Sequence, residues 1–95
     1  MFSMAFIYLM ENVKPLNKDI VFKHVEYLKE LDGKGVLVLC GPFSDYPGGM
    51  VVFNATGLEE AIMVANNDPF ILLGYKTYQI RTIEVANKSN NYGLS

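Results

Sequence analysis

This sequence is short of the residues on which several kinds of site depend. Its 95 residues include one cysteine, one histidine and no tryptophan. The cysteine, Cys40, has no partner for an internal disulfide or a thiolate metal cluster. A transition-metal site needs several clustered ligands, and this chain has one histidine and one cysteine far apart. We therefore expect no metal and no other cofactor.

Positive charge and long apolar runs are also scarce. Eight Lys and Arg residues against ten Asp and Glu give a net charge of -2, and the basic residues are scattered from Lys14 to Lys88. A nucleic-acid module would carry a basic patch. The apolar N-terminal run breaks at Glu11, well short of the ~20 residues of a membrane span. We expect a cytoplasmic protein with no nucleic-acid or membrane partner, and a lone cysteine suits that reducing compartment.

Apolar residues, by contrast, make up 51% of the chain. This content excludes a disordered chain, and the length suffices for one small core but not for two domains. We predict a single domain over residues 1–86, followed by a polar tail of low order over residues 87–95.

The order of apolar runs and breakers predicts a β-α-β-β-α-β chain. Strands are expected at residues 1–10, 36–40, 50–55 and 75–85, helices at about 18–32 and 57–66, and a short helical turn at 69–73. This is the ferredoxin-like topology, an α+β fold with a four-stranded antiparallel sheet.

Local signals mark where these elements begin and end. Asn17 is expected to cap the first helix, and Thr56 with Glu59 to form a capping box at the second. Gly41-Pro42 is expected to end the second strand, because proline cannot continue a central ladder. Gly48-Gly49 is expected to give a flexible start to the hairpin's second strand.

Three of the four predicted strands are apolar on both sides. The first offers Phe2, Met4, Phe6 and Tyr8 on one side and Ala5, Ile7 and Leu9 on the other. The second and third strands alternate between apolar residues in the same way. Two helices cover one face of a sheet, and the longest internal loop, residues 43–49, is too short to cover the other. An apolar face of this size is rarely exposed in a monomer, so we predict a homodimer that packs sheet to sheet, or a higher assembly built from it.

The histidine falls on the apolar side of the first helix. At 100° per residue, His24 lies in the stripe formed by Ile20, Leu28 and Leu31, and the charged residues occupy the opposite arc. One interpretation is a core histidine bonded to a backbone carbonyl. The other is a general base or acid facing a cavity, because imidazole gains and loses a proton near neutral pH.

Asp68 is the candidate partner for this imidazole. A base of this kind is usually oriented by a second group. Pro69 biases Asp68 toward an extended backbone, and the alternative role of Asp68 is to cap the short helical turn. A carboxylate has enough acceptor sites for both roles. The loop Gly41-Pro42-Phe43-Ser44 follows a strand and is a weaker candidate for ligand contact.

The order and spacing of several short motifs are typical of one family. They are His24 on the first helix, Gly41-Pro42-Phe43, Gly48-Gly49-Met50, Glu59-Glu60-Ala61, Asp68-Pro69-Phe70 and Gly74. Over about residues 3–86 the chain resembles the YciI-like family of the dimeric α+β barrel superfamily, which also holds muconolactone isomerase-like enzymes. The resemblance implies a ferredoxin-like protomer that dimerises into an α+β barrel, with His24 and Asp68 together in an active site. Many relatives carry an arginine where this chain has Val21, so a group able to bind anions is missing there.

The resemblance also implies chemistry on a small molecule. One relative is a dehydrochlorinase of chlorinated hydroxyquinols. The predicted function is therefore a cofactor-independent proton transfer, of lyase or isomerase type, on a small ring metabolite, with His24 and Asp68 as the catalytic pair. The residues expected to contact the substrate are Tyr8, Gly41, Pro42, Phe43, Ser44 and Phe70. The alternative is a non-catalytic small-molecule-binding or regulatory module of the same fold.

Overall fold

Four strands form one antiparallel sheet in the order β2-β3-β1-β4 in the computed structural model, which describes residues 3–94. The strands are β1 (Ser3–Asn12), β2 (Leu37–Pro42), β3 (Gly48–Phe53) and β4 (Lys76–Val85). The helices are α1 (Lys18–Gly33), α2 (Leu58–Asn67) and α3 (Pro69–Leu72). The predicted ferredoxin-like α+β fold is confirmed. Phe2, which the sequence places in the first strand, lies outside the described residues.

The core lies between the helices and one face of the sheet. Side chains alternate along a strand, and the core residues of β1, Phe6, Tyr8 and Met10, are spaced accordingly. The core cluster consists of Phe6, Tyr8, Met10, Ile20, Leu31, Val51, Phe53, Ala61, Ala65 and Phe70. Helix α2 contributes only Ala61 and Ala65 to it, and such small side chains allow a helix to approach the sheet closely. The larger side chains of α1 line the space beside the ends of β2 and β3.

The two long helices begin in different ways. The Asn17 side chain accepts a hydrogen bond from the Ile20 N–H at 3.0 Å, which confirms it as the cap of α1. Helix α2 instead begins after Gly57, which has no side chain to cap it. The Thr56 N–H and hydroxyl both donate to the Glu60 carboxylate, at 3.2 and 3.0 Å. The predicted capping box is wrong, because Thr56 stands one residue before the cap and Glu60, not Glu59, reaches back to it.

Strand β2 lies at the sheet edge, and this changes two predictions about it. It continues to Pro42, which pairs with Gly49, because an edge strand needs a ladder on one side only. The register shifts between Leu37 and Leu39, and Val38 and Leu39 are both more than half exposed. The simple alternation predicted for this strand is therefore wrong.

Gly48 and Gly49 are buried residues of β3 rather than a flexible segment. A Cβ atom on Gly48 would overlap the Met10 carbonyl oxygen, and one on Gly49 would lie 2.7 Å from the Gly41 carbonyl oxygen. The two glycines are needed because the backbones of β1, β2 and β3 approach closely here. The predicted flexible start of this strand is wrong.

The second face of the sheet carries no helix. Ile7 and Leu9 of β1 lie on it and pair with Val52 and Met50 of β3, so its centre is apolar, as the sequence predicts. On β4 the same face carries the polar residues Thr77, Gln79 and Arg81. The apolar part of this open face is therefore centred on β1 and β3.

The C-terminal tail has more local structure than the sequence suggests. Residues Lys88–Gly93 form short 3-10 turns, with Asn87 accepting from the Ser89 N–H at 2.9 Å. Asn90 Nδ2 donates to the Val85 carbonyl at 2.7 Å and so attaches the tail to the end of β4. The expectation of a polar tail of low order over residues 87–95 stays a prediction. Within residues 3–94, no helix is long and apolar enough to cross a membrane.

Candidate functional site

Asp68 lies between two helices, and its backbone explains where its side chain points. It ends α2 and precedes Pro69, and its backbone is extended at φ -64° and ψ 125°, as a residue before proline prefers. Its Oδ1 atom accepts a hydrogen bond from the Phe70 N–H at 2.9 Å and caps α3. The side chain is completely buried. A buried carboxylate needs several hydrogen-bond donors around it. Two side chains provide donors in addition to the Phe70 N–H.

These two donors are side chains from β1 and α1. The Tyr8 hydroxyl donates to Asp68 Oδ2 at 2.8 Å, and His24 Nδ1 lies 2.8 Å from Asp68 Oδ1. Burial raises the pKa of the Tyr8 hydroxyl well above its usual range, and the nearby charge of Asp68 adds to this effect. Tyr8 therefore stays protonated and remains a donor. Residues far apart in the chain thus meet at one carboxylate, and the cap and partner roles of Asp68 coexist.

His24 is held in a fixed orientation. Its side chain is 12% exposed, and its ring stacks on Phe70 with centroids 4.0 Å apart and planes 22° apart. A carboxylate accepts hydrogen bonds, so the contact favours the tautomer in which Nδ1 of His24 carries the proton and donates it to Asp68 Oδ1. In the neutral imidazole this leaves Nε2 with its lone pair. The site therefore holds an oriented base with one nitrogen available to a ligand.

A cavity of about 410 Å³ lies beside this base, between α1 and the ends of β2 and β3. His24, Phe70, Gly41 and Pro42 line it, so four of the residues predicted from the sequence share one cavity. Its remaining walls are mostly apolar and include Met10, Leu16, Val21, Val25, Leu28 and Met50. Its size and apolar walls suit a small organic ligand.

Lys76 is a cavity residue that the sequence reasoning missed. It is 6% exposed, and its Nζ atom lies 4.1 Å from the centroid of the Phe70 ring. Burial lowers the pKa of its ammonium, against the attraction of the Asp68 charge. Alternation along β4 places it on the helix-covered face with Tyr78 and Ile80. A lysine two residues before an inward-facing aromatic was the signal that could have identified it.

Cys40 also lines the cavity, and burial raises the pKa of its thiol. A thiol in this state is a weak nucleophile. Within residues 3–94, no group of three or more His, Cys, Asp or Glu side chains is placed to hold a metal ion.

Three of the predicted substrate-contacting residues lie outside the cavity wall. Tyr8 is fully buried beneath it and contacts Asp68 instead. Ser44 is exposed on the loop after β2. Phe43 lines a second cavity of about 380 Å³ on the other face of the sheet, with Leu9 and Glu11. The structure therefore brings His24, Gly41, Pro42 and Phe70 together, and leaves Tyr8, Phe43 and Ser44 out of their cavity.

Two solved structures resemble this fold. A 5-chloro-2-hydroxyhydroquinone dehydrochlorinase from Burkholderia phenoliruptrix AC1100, in complex with 2,5-dihydroxybenzoquinone, matches with a TM-score of 0.61 and 19% identity, over 90% of this chain and 99% of the other. A muconolactone isomerase matches with a TM-score of 0.63 and 15% identity, over 87% of this chain and 88% of the other. At these identities the likeness shows the fold.

Sequence comparison gives a closer relationship. The uncharacterized protein YjpA from Bacillus subtilis (strain 168) is 33% identical over 77 residues, which span 81% of this chain and 91% of that protein. The sequence profile of the YCII-related domain matches residues 1–84, which include the cavity residues, His24 and Asp68. The resemblance found in the sequence motifs is confirmed, and the chain belongs to the YCII-related family.

Proposed function

We propose that this protein is an enzyme that moves a proton on a small ring compound, with His24 as general base. One observation carries the proposal: His24 Nδ1 lies 2.8 Å from the fully buried Asp68, at the wall of a mostly apolar cavity. Orientation of a base by a buried carboxylate is a common arrangement in acid–base catalysis.

In the proposed step, Nε2 of His24 takes a proton from a C–H or O–H group of the substrate. The electron pair of that bond forms a new π bond in the substrate. In an isomerisation an existing π bond of the substrate breaks, its electron pair moves to another atom, and the imidazolium returns the proton to that atom. In an elimination an anionic group leaves with its bonding pair, and the imidazolium gives its proton to solvent. Both reactions balance without an oxidant or reductant. A positioned base contributes about 10²- to 10⁴-fold to such a rate.

Asp68 is a positioning residue in this proposal. Its charge favours the imidazolium that forms when His24 takes up a proton. Its bonds to Tyr8 and to the Phe70 N–H prevent it from turning away as His24 changes charge. The carboxylate contacts three hydrogen-bonding partners, which hold it in place during the step.

The proposed substrate class is a single ring with oxygen substituents. The cavity of about 410 Å³ is large enough for one such ring, and the Phe70 side chain offers an aromatic surface beside His24. The similar fold of the dehydrochlorinase makes chlorinated hydroxyhydroquinones reasonable first compounds to assay.

The His24–Asp68 coupling is tested by NMR titration of the single histidine. In Asp68→Asn the midpoint of the His24 titration should move to lower pH, because the carboxylate no longer stabilises the imidazolium. Glu26→Gln, on the exposed face of α1, is the matched control and should leave the midpoint nearly unchanged. An unchanged midpoint in Asp68→Asn would contradict the proposed pair.

Catalysis is tested with a panel of chlorinated and lactone ring compounds, following chloride release and isomer formation. His24→Asn keeps a donor toward Asp68 but has no basic nitrogen, so it should lower turnover about 100-fold or more. The alternative, a binding module, predicts a different result. Mass spectrometry of a metabolite mixture would then show retention of a compound by the protein without its consumption.

We also propose that two copies of this chain pack through the open face of the sheet. Its apolar centre, formed by Ile7, Leu9 and Val52, is the supporting observation. Val52→Arg should convert the dimer to a monomer of 10.7 kDa in light scattering after size-exclusion chromatography. Thr82→Arg, an exposed position on the helix side of β4, is the control and should remain dimeric. A wild-type monomer would contradict the proposal.

A further inference from the structure

Lys76 is the buried charge that the proposed proton transfer does not use. Only 6% of its surface is exposed, and it lines the cavity together with His24. Lysine is almost never this buried unless it has a partner. Within residues 3–94, the structure records no hydrogen bond and no ion pair from its ammonium to a side chain, so Asp68 lies beyond ion-pair distance.

The ammonium of Lys76 lies over an aromatic ring. Nζ of Lys76 lies 4.1 Å from the Phe70 centroid, and the His24 ring lies 4.0 Å from the same centroid. A ring face attracts a cation but accepts no strong hydrogen bond, and an ammonium has three donors to satisfy. The two groups therefore lie on opposite faces of Phe70, and because both line the same cavity, a ring compound in it can contact both.

The neighbour across the sheet carries a buried polar atom without a partner. Asn12 pairs with Lys76 in the β1–β4 register, and its Oδ1 atom is buried with no hydrogen-bond partner among the described residues. Buried polar groups without partners are rare in proteins, and each one calls for an explanation.

We infer that Lys76 binds an anionic oxygen of the ligand, so that the cavity takes a small ring compound with one carboxylate, phenolate or enolate group. His24 then faces another part of the same molecule. The inference rests on the proposed function for what His24 does, but the anion site itself does not depend on catalysis.

The rest of the cavity limits the ligand to a single negative charge. Among the described residues that line it, Lys76 is the one side chain with a permanent positive charge, and Val21, Val25 and Leu28 form an apolar wall. A second anionic group would lie against that wall without a partner, which is costly. A diacid or a phosphate monoester is therefore a poor match.

The burial of Lys76 also makes its charge effective. Interactions between charges are stronger in a water-poor site than at the surface. Desolvation lowers the pKa of the ammonium in the unliganded protein, and an anion beside it would oppose that effect. A bound anion therefore favours the charged form of Lys76, and the charged form in turn binds the anion more tightly.

The test compares benzoate with benzamide, which share a ring and nearly the same shape but differ in charge. Affinities are measured by calorimetry or NMR titration at neutral pH. The wild-type protein should bind benzoate about tenfold or more tightly than benzamide. Lys76→Met should abolish this preference by weakening benzoate alone, and Lys76→Arg should keep most of it.

Lys14→Met is the matched control for removing a lysine. The Nζ of Lys14 also lies over an aromatic ring, 4.2 Å from the centroid of Tyr75, but Lys14 is exposed and does not line the cavity. This variant should bind benzoate as the wild type does. A thermal melt of each variant shows that it is folded.

A second measurement needs no variant. In protein with ¹³C-labelled lysine, benzoate should move the Cε resonance of Lys76 and leave that of Lys14 in place. The inference is overturned if benzoate binds no better than benzamide, if it does not bind at all, or if Lys76→Met binds it as well as the wild type. These results are separate from the proposed function, because an unchanged His24 titration in Asp68→Asn would end the proton-transfer proposal and leave the benzoate preference standing.

Discussion

Two cavities of nearly equal size lie on opposite faces of the sheet, at about 410 and 380 Å³, and they differ in what lies behind their walls. The first has His24 and Lys76 in its wall and the buried Asp68 behind it. The second has Glu11 and Tyr46, and Tyr46 is more than half exposed. Near water, such groups interact weakly.

The comparison shows that volume alone does not identify a site. In the cavity beside α1, charged groups are removed from water and held by neighbours with fixed geometry. That combination is what distinguishes functional clefts from surface depressions. Stability measurements on variants of both cavities test this difference.

The largest effect should come from Asp68→Ala. It removes the shared acceptor and leaves the Tyr8 hydroxyl, the Phe70 N–H and His24 without it, so the free energy of unfolding should fall by about 3 to 5 kcal/mol. Glu11→Ala, in the second cavity, should change it by about 0.5 kcal/mol or less. Urea denaturation of both variants measures the difference. Equal effects would mean that the two cavities do not differ as described.

Gly48→Ala tests the strand end that lies between the two cavities. The added methyl group would overlap the Met10 carbonyl oxygen, so the backbones of β1 and β3 would have to separate, at a cost of about 1 to 3 kcal/mol. Gly33→Ala is the control, because nothing lies within 4 Å of its Cβ position at the end of α1. The control should be neutral or slightly stabilising. A Gly48→Ala protein with the stability of the wild type would contradict the close approach.

Tyr8→Phe keeps the aromatic ring in the core and removes one donor from Asp68. The loss should be about 1 to 2 kcal/mol, because the bond is buried and its acceptor is charged. Tyr46→Phe makes the same chemical change in the second cavity and should cost about 0.5 kcal/mol or less. Thermal melts of the two variants compare these losses directly. A larger loss of stability in Tyr46→Phe than in Tyr8→Phe would contradict the difference between the two cavities.

The smallest effect concerns how far the Asp68 charge reaches. Burial, and then the charge of Asp68, raise the pKa of Tyr27 to about 12 from its usual value of 10.0. The folded protein therefore keeps a proton that the unfolded chain loses between these values, and stability should fall as pH rises through this window. Tyr27→Phe should reduce that slope, as measured by urea denaturation at several alkaline pH values. An unaltered slope would show that Tyr27 does not contribute.

The sequence predicted the element order because each element carried its own signal. Apolar runs marked the strands, Asn17 marked the start of α1, and Asp68-Pro69 marked the break between α2 and α3. The errors occurred where distant backbones decide the outcome. Gly48 and Gly49 look flexible in sequence, but strands far away in the chain force them into contact with carbonyl groups. The capping box failed because the first residue of α2 depends on how the helix packs, and not on Thr56 alone.

The site was predicted only where helix periodicity or a motif placed a residue. Periodicity turned His24 inward, and the Asp-Pro pair suggested a role for Asp68. Lys76 was missed because a single charge at the start of a strand is usually solvated, and only the neighbouring Phe70 and α1 bury it. The sequence analysis noted that the arginine of many relatives is replaced here by Val21. In the structure, Lys76 of β4 brings a positive charge to the same cavity.

The walls of the cavity and its charged groups are attached to different parts of the protein. Val21, Val25 and Leu28 project from one side of α1 and line the cavity. The carboxylate behind His24 is fixed by β1 and by the start of α3, at Tyr8 and Phe70. Substitutions along that side of the helix can therefore reshape the binding space for a different ring while the acid–base pair keeps its geometry. Such a protein can acquire new substrates through exchanges of aliphatic side chains, without rebuilding its chemistry.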